Sequence, residues 1–373
     1  MILNIIWKEI KYQLKNVTFY GFFIVVLLMF FSQLGIPTKS DLTLTTQKEN
    51  HYSREKITDK DKEMKHMYLW LGSAYEKGTV LKYKFSFGYD AKLNDSEKNY
   101  LKATIDKIYI FDSENNIEIK VSYNEYLDIL RYLDKNLNGN TIYGDPEKYG
   151  LGYDEISSEN ALKAYNDVME KDKFTNAYGR LFADYMGITA GFFPVFLSAF
   201  IFVREKNKKD YEKIYSSKVS FTKYILAKYI GICICIMGCY LILATYTTLA
   251  YSKFALDTNS VIDRMAIYKY TFAWIGPTVL FSTAFGILIS AIFNNPIAAI
   301  IAQLILCFSS IQNLIGQYGL IKYVIRFNVF GEYDNYLMWK TAIIENRFFY
   351  TILPFAIVLL SSYIWTRFRK KNT

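Results

Sequence analysis

The chain has 373 residues, 52% of them hydrophobic and 18% aromatic, and carries a net charge of +9. Its mean hydropathy is nevertheless only +0.07, so long apolar runs must alternate with strongly polar blocks. That pattern excludes a uniform soluble domain, and the placement of the basic residues excludes a nucleic-acid binder.

At the N-terminus, Leu3, Ile6, Trp7, Ile10 and Leu14 recur at helical spacing, while Asn4, Lys8, Lys11 and Lys15 fall on other faces. Trp and Lys at the entrance to an apolar run suit a helix lying in a membrane interface. The run that follows, 17–36, holds no ionisable side chain. It exceeds the roughly 7–15 residues of a signal-peptide core and ends without a small-residue cleavage site. It reads as a retained first span.

A polar block at 37–183 comes next, with 22 Lys/Arg against 25 Asp/Glu and no cysteine. The stretch 38–65 reads as polar and mobile. Val80 to Phe87 alternates like a strand, and 108–111 and 117–123 flank Asp112-Ser113-Glu114-Asn115-Asn116 as a hairpin. Ser122-x-x-Glu125 is a capping box for a helix that buries Tyr126, Ile129, Leu130 and Leu133, with Gly139 as its stop. Tyr143-Gly144-Asp145-Pro146-Glu147 and Gly152-Tyr153-Asp154-Glu155 read as a solvated, turn-rich loop. A further helix from about Ser158 leads into the second span. The block is expected to be one α+β domain.

A bilayer core about 30 Å thick needs roughly 20 apolar helical residues. Beyond 17–36, the windows 185–203, 229–251, 270–293, 296–314 and 348–365 qualify, giving six expected spans. Lys and Arg in short flanks set the orientation. With six spans the N-terminal flank, the loop 204–228 and the tail share one side with 15 basic residues, against 7 in the two short loops of the other side. Both termini are therefore expected in the cytoplasm of a bacterium, whose AT-rich genome fits the Lys, Asn, Tyr and Ile usage. The organisation expected is an interfacial helix and first span in 1–36, an extracellular domain in 37–183, and spans two to six in 184–373. The expected fold class is thus membrane all-α, six transmembrane helices with an inserted α+β extracellular domain. Asn294 and Asn295 alone separate the fourth and fifth spans, which forces a tight hairpin. The aromatic but charged stretch 315–346 reads as interfacial or re-entrant helices.

Several chemistries are missing from the sequence. There is no Gly-x-x-x-x-Gly-Lys-Ser/Thr phosphate loop and no His-Glu-x-x-His, and the only histidines are His51 and His66 in the polar block. Cys233, Cys235, Cys239 and Cys307 lie in expected spans and read as small packing residues. No carboxylate falls inside an expected span, Asp184 lying only at the edge of the second; the most polar groups are Gln303, Gln312 and Asn313. Ion-coupled transporters keep titratable groups at membrane depth. Any transport energy must then come from another subunit.

The segment after the second span reads Arg204-Glu205, then a short helix over 211–215, then Ser217-Lys218-Val219-Ser220 and Tyr224-Ile225-Leu226-Ala227-Lys228. This closely resembles the cytoplasmic loop of ABC-transporter permeases of the type-2 (exporter) family. The chain differs in carrying Lys208-Lys209-Asp210 where that family often has Gly-Thr. The resemblance extends to the interfacial helix, the six spans, the tight fourth-to-fifth turn and the partly apolar segment before the last span.

The resemblance implies a permease subunit without ATPase motifs or cofactors of its own, since ATP is bound by a partner. The partners implied are a cytoplasmic ATPase subunit and a second permease copy or a related permease in the lipid bilayer. A short cytoplasmic helix can dock in an ATPase groove and transmit its closure to the spans. Tyr211, Ile214 and Tyr215 would anchor it, with Lys208, Asp210, Glu212 and Lys213 as a charged rim beside Arg204 and Glu205. The alternative is a membrane-anchored receptor or sensor that binds ligand through the extracellular domain. Six spans exceed what an anchor needs, and the cytoplasmic segments hold no signalling domain.

Overall fold

A computed structural model describes residues 2–35, 54–84, 87–111, 117–146, 151–155, 158–207, 220–258, 261–311, 318–327 and 333–372. Contacts divide the chain into two compact units, 46–161 and the remainder, 1–45 with 162–373.

Helices α1 (Ile2–Gln13) and α2 (Val17–Gln33) meet at a 71° bend. Asn16 makes the break, because its side-chain oxygen accepts from the Thr18 amide and so caps α2. The bend makes α1 a separate helix, with Leu3, Trp7 and Leu14 exposed and Glu9 and Gln13 buried.

The smaller unit contains β1 (Arg54–Lys56), α3 (Lys60–Lys77), β2 (Thr79–Lys84), β3 (Phe87–Lys92), α4 (Asp95–Ile108), β4 (Tyr109–Phe111), β5 (Ile117–Ile119), α5 (Tyr123–Asn136) and β6 (Tyr153–Glu155). Its strands form three two-stranded antiparallel sheets, β1–β6, β2–β3 and β4–β5. The expected hairpin around 112–116 is the β4–β5 pair, and Ser122 and Glu125 form a reciprocal capping box at the start of α5. Two expectations are corrected. Of the stretch read as polar and mobile, 38–53 lies outside the described residues, while its end is structured: Arg54–Lys56 is a strand, Asp59 caps α3, and Met64, Met67, Leu71 and Ala74 bury one face of that helix; the charges of its first turn conceal that stripe. The turn-rich loop is not wholly solvated either, since Tyr143 is buried and Tyr153–Glu155 is a strand paired with β1. Met67, Leu71, Leu101, Ile108, Leu130 and Leu133 form the core, each burial contributing roughly 1.5–3 kcal/mol.

The larger unit continues with α6 (Ser158–Asn166), a π-helical turn (Asp167–Asp172), α7 (Thr175–Phe192), α8 (Val195–Ser198), α9 (Ile201–Asn207), α10 (Phe221–Thr258), α11 (Ala266–Tyr270), a second π-helical turn (Thr271–Ile275), α12 (Gly276–Phe293), α13 (Pro296–Ile311) and α14 (Tyr333–Asn372). Among the described residues, four helical stretches are long and apolar enough to cross a membrane: Thr175–Arg204, Phe221–Leu256, Ala266–Phe293 and Tyr333–Arg367. Counting the bent pair α1–α2 as one span makes five, and α13, at 16 residues, falls short of a sixth by that measure. The chain is therefore an α-helical membrane protein with an inserted unit that does not cross.

Where helices touch, small residues let their backbones approach. A Cβ on Gly286 would lie 2.4 Å from the Ser198 hydroxyl, so only glycine lets α12 lie flush on α8. Beside it, Ser282 and Ser290 donate to the carbonyls of Ala190 and Ala199 at 2.7 and 2.6 Å. Asn294, in a left-handed conformation, and Asn295, which accepts from the Ile297 amide, turn α12 into α13.

Candidate coupling site

The loop expected to meet a partner begins on α9. Arg204 stands on that helix, its Nη1 and Nη2 donating to the two carboxylate oxygens of Glu9 on α1 at 3.1 and 2.8 Å. Its guanidinium also lies 4.1 Å from the ring centre of Tyr12. Glu9 is 3% exposed. It further accepts from Gln13 Nε2 at 2.7 Å and lies 3.9 Å from Lys228 Nζ on α10. One acid thus gathers cations from two helices at one end of the bundle.

Gly231 allows this approach: a Cβ there would sit 2.9 Å from the Glu9 Cβ and 3.2 Å from the Ile6 carbonyl oxygen. Two further contacts fasten the same end. Phe202 on α9 stacks on Trp365 near the end of α14, with ring centres 4.3 Å apart, and the Thr222 and Ser362 hydroxyls bond at 2.9 Å. The start of α10, α1, α9 and the end of α14 therefore meet here.

Of the residues singled out from the sequence, Arg204 enters this cluster and Glu205 lies on α9. Asp210, Tyr211, Glu212, Ile214 and Tyr215 lie outside the described residues, as does 217–219 of the Ser-Lys-Val-Ser turn. The sequence reading missed Glu9, Tyr12 and Gln13. A signal for Glu9 was present, since it is the only acidic residue before Asp41. On a basic helix bound for an interface, a lone acid calls for a cationic partner.

A second set of buried charges lies at the opposite end of the bundle. The apolar windows read from the sequence hold no charged side chain, and these charges stand beyond their ends. The helices outrun the apolar windows, so α7 includes Arg180 and Asp184, both completely buried, and α14 includes Arg347, 5% exposed. Arg180 pairs with Asp172 and lies 4.3 Å from the ring centre of Tyr336. Asp184 accepts from Arg326 Nε at 2.6 Å. Arg347 donates to the backbone oxygens of Trp274, Tyr323 and Lys322 and to the side-chain oxygens of Thr278 and Asn346.

These bonds hold the segment 318–327, which is irregular rather than the expected helix and is buried at Tyr323, Val324, Ile325 and Phe327. Irregular backbone inside a membrane protein persists only where protein groups satisfy it. The Tyr323 hydroxyl donates to the Gly191 carbonyl at 2.8 Å, and the Ser310 hydroxyl accepts from the Val324 amide at 3.1 Å. From Tyr333 onward the stretch already belongs to the last long helix.

Among the described residues, no group of three or more His, Cys, Asp or Glu could hold a metal ion. The four cysteines are buried and unpaired with one another. The cluster around Glu9 ties α1 to α9 and α10 through charge.

Residues 17–330 match the model of a family described as ABC-2 family transporter protein. The match runs from the start of α2 to the irregular segment before the last helix and covers well over half of the 373 residues. No curated protein and no solved structure matches the chain.

Proposed function

We propose a function from one premise: the chain belongs to the ABC-2 family of transporter proteins. As a membrane-embedded permease subunit of that family, it has no power source of its own in this reading. A separate cytoplasmic ATPase subunit supplies the stroke, and the loop between α9 and α10 receives it. The single observation that carries the reading is the joint at the base of that loop, where Glu9 binds Arg204 and approaches Lys228. A force on the loop displaces α1, α9 and α10 together.

In this proposal the chain crosses the bilayer six times. The apolar helix α2 is the first span and α13, turned back by Asn294 and Asn295, is the fifth. Both termini and the loop lie in the cytoplasm, and the inserted unit lies outside. Two permease copies, or this chain and a related one, enclose the export path. Docking involves the apolar anchors Tyr211, Ile214 and Tyr215 with Asp210 and Glu212 beside them. The family match favours this reading over a receptor that uses the inserted unit to bind ligand.

The test is co-purification with an ATPase subunit, followed by ATP-dependent efflux from reconstituted vesicles. Charge reversal at Asp210 and Glu212 is expected to weaken the association. Association and efflux that survive disruption of 211–215 would refute the docking role, and labelling of the loop from outside intact cells would refute the orientation.

A further inference from the structure

Between the α1–α2 bend and the α8–α9 end of the second span lies a half-open cleft of about 370 Å³. That volume falls within the roughly 300–1,000 Å³ of small-molecule sites. Its wall is apolar, formed by Phe196, Leu197, Phe200 and Val203. Phe200, in the turn between α8 and α9, is 43% exposed although its neighbours Ala199 and Ile201 are fully buried. The rim differs in character. Arg204 and Tyr12 stand on one side, and on the other is the first turn of α2, where Asn16 and Thr18 line the opening.

Charge decides what such a cleft takes. Lys8, Lys11 and Lys15 are exposed on or beside α1, and Lys11 and Lys15 adjoin in sequence Tyr12 and Asn16, which line the opening. The nearby acid, Glu9, is buried and its charge is matched by Arg204, so the net positive charge of this surface comes from the three lysines. The helix start adds partial positive charge. A soluble anion would not need the phenylalanine wall, and a neutral apolar molecule would not need the cationic rim. A molecule with both parts needs the two together, and the cleft opens beside α2, whose Val17, Tyr20 and Ile24 are exposed as on a lipid-facing helix.

We propose that this cleft binds one acidic phospholipid. An acyl chain lies against Phe196, Leu197 and Phe200, and the phosphate lies at Arg204, Tyr12 and the start of α2. The inference rests on the reading of α1 as an interfacial helix of a membrane permease. A lipid seated there would brace the bend that positions Glu9, so the charge of the surrounding leaflet would tune the coupling joint.

The full-length chain, purified in detergent and stripped of lipid, is titrated with dioctanoyl phosphatidylglycerol or dioctanoyl phosphatidylcholine. Bound copies are counted by native mass spectrometry. One copy of the glycerol lipid is expected to bind at least about 5-fold more tightly than the choline lipid, the preference that a single nearby basic side chain confers. Thr18→Trp, which fills the cleft from an exposed position, is expected to abolish that copy, and Phe200→Ala to weaken both lipids.

Equal affinity for the two lipids overturns the proposal on the unaltered protein alone, even if a variant misfolds. So does a tight copy that survives both substitutions. Displacement by glycerol phosphate at concentrations matching the lipid would mean the cleft reads a soluble phosphate, which also overturns it. None of these readouts involves an ATPase, so their failure is separable from failure of the permease reading.

Discussion

Arg204 and Glu9, 195 residues apart in sequence, form a two-pronged ion pair where α9 leads toward α10. Their side chains are 13% and 3% exposed. Removing one partner of so enclosed a pair strands a charge and costs about 3–5 kcal/mol. Glu9→Gln and Arg204→Gln are each expected to lower the thermal midpoint of the detergent-solubilised protein. The double substitution is expected to cost less than the sum, with a coupling of roughly 0.5–3 kcal/mol. Strictly additive losses would show that the pair does not act as a unit.

Asp184 and Arg326 join α7 to the irregular segment at the other end of the bundle. Asp184→Asn leaves a guanidinium 7% exposed with its ion-pair partner neutralised, again at a cost of about 3–5 kcal/mol. Replacing both members by apolar residues of similar size removes the stranded charge. Asp184→Leu combined with Arg326→Met is therefore expected to recover much of the lost thermal stability. A double variant as unstable as Asp184→Asn would place the loss in packing rather than charge.

Arg347 makes no ion pair among the described residues. Its flat guanidinium instead bridges Trp274 of the second π-helical turn, Tyr323 of the irregular segment, and its sequence neighbour Asn346. A lysine keeps the charge but not the fork of donors. Arg347→Lys is expected to leave at least two of these buried acceptors unpaired, each costing about 1–3 kcal/mol. Limited proteolysis should then cut within 318–327 faster than in the unaltered chain, and an unchanged cleavage rate would argue against the clamp.

In the inserted unit, Tyr109 donates its hydroxyl to the Met64 carbonyl at 2.7 Å. Burial holds its phenol well above the usual tyrosine range, as it does for Tyr126 and Tyr143. A folded-state pKa raised above the unfolded value gives stability that is complete below pH of about 10 and is lost as pH climbs beyond it. The unit is expected to lose ellipticity in alkali together with a rise in tyrosinate absorbance. Tyr109→Phe is expected to cost about 1 kcal/mol at neutral pH and to shrink the alkaline sensitivity; an unaltered alkaline profile would contradict the assignment.

Membrane class, the apolar segments, the short Asn294-Asn295 turn, the β4–β5 hairpin and the Ser122–Glu125 box were legible because each depends on residues close together in sequence. Helix α3 was missed because its apolar stripe is spaced among Lys, Asp and Glu. The two ends of the long helices were missed for a related reason. A hydropathy window stops at the first charge, whereas the helix continues if that charge is neutralised inside the bundle, as Asp184 is by Arg326.

The sequence by itself determined that this chain is a multi-spanning membrane protein with an inserted polar unit, since the length of an apolar run and the cost of bare backbone in hydrocarbon are local matters. Only the tertiary structure decided which charges belong together. Glu9 meets Arg204 and Lys228 because Gly231 lets α1 settle against α10. A contact of that kind depends on how distant helices cross, which spacing along one chain does not encode.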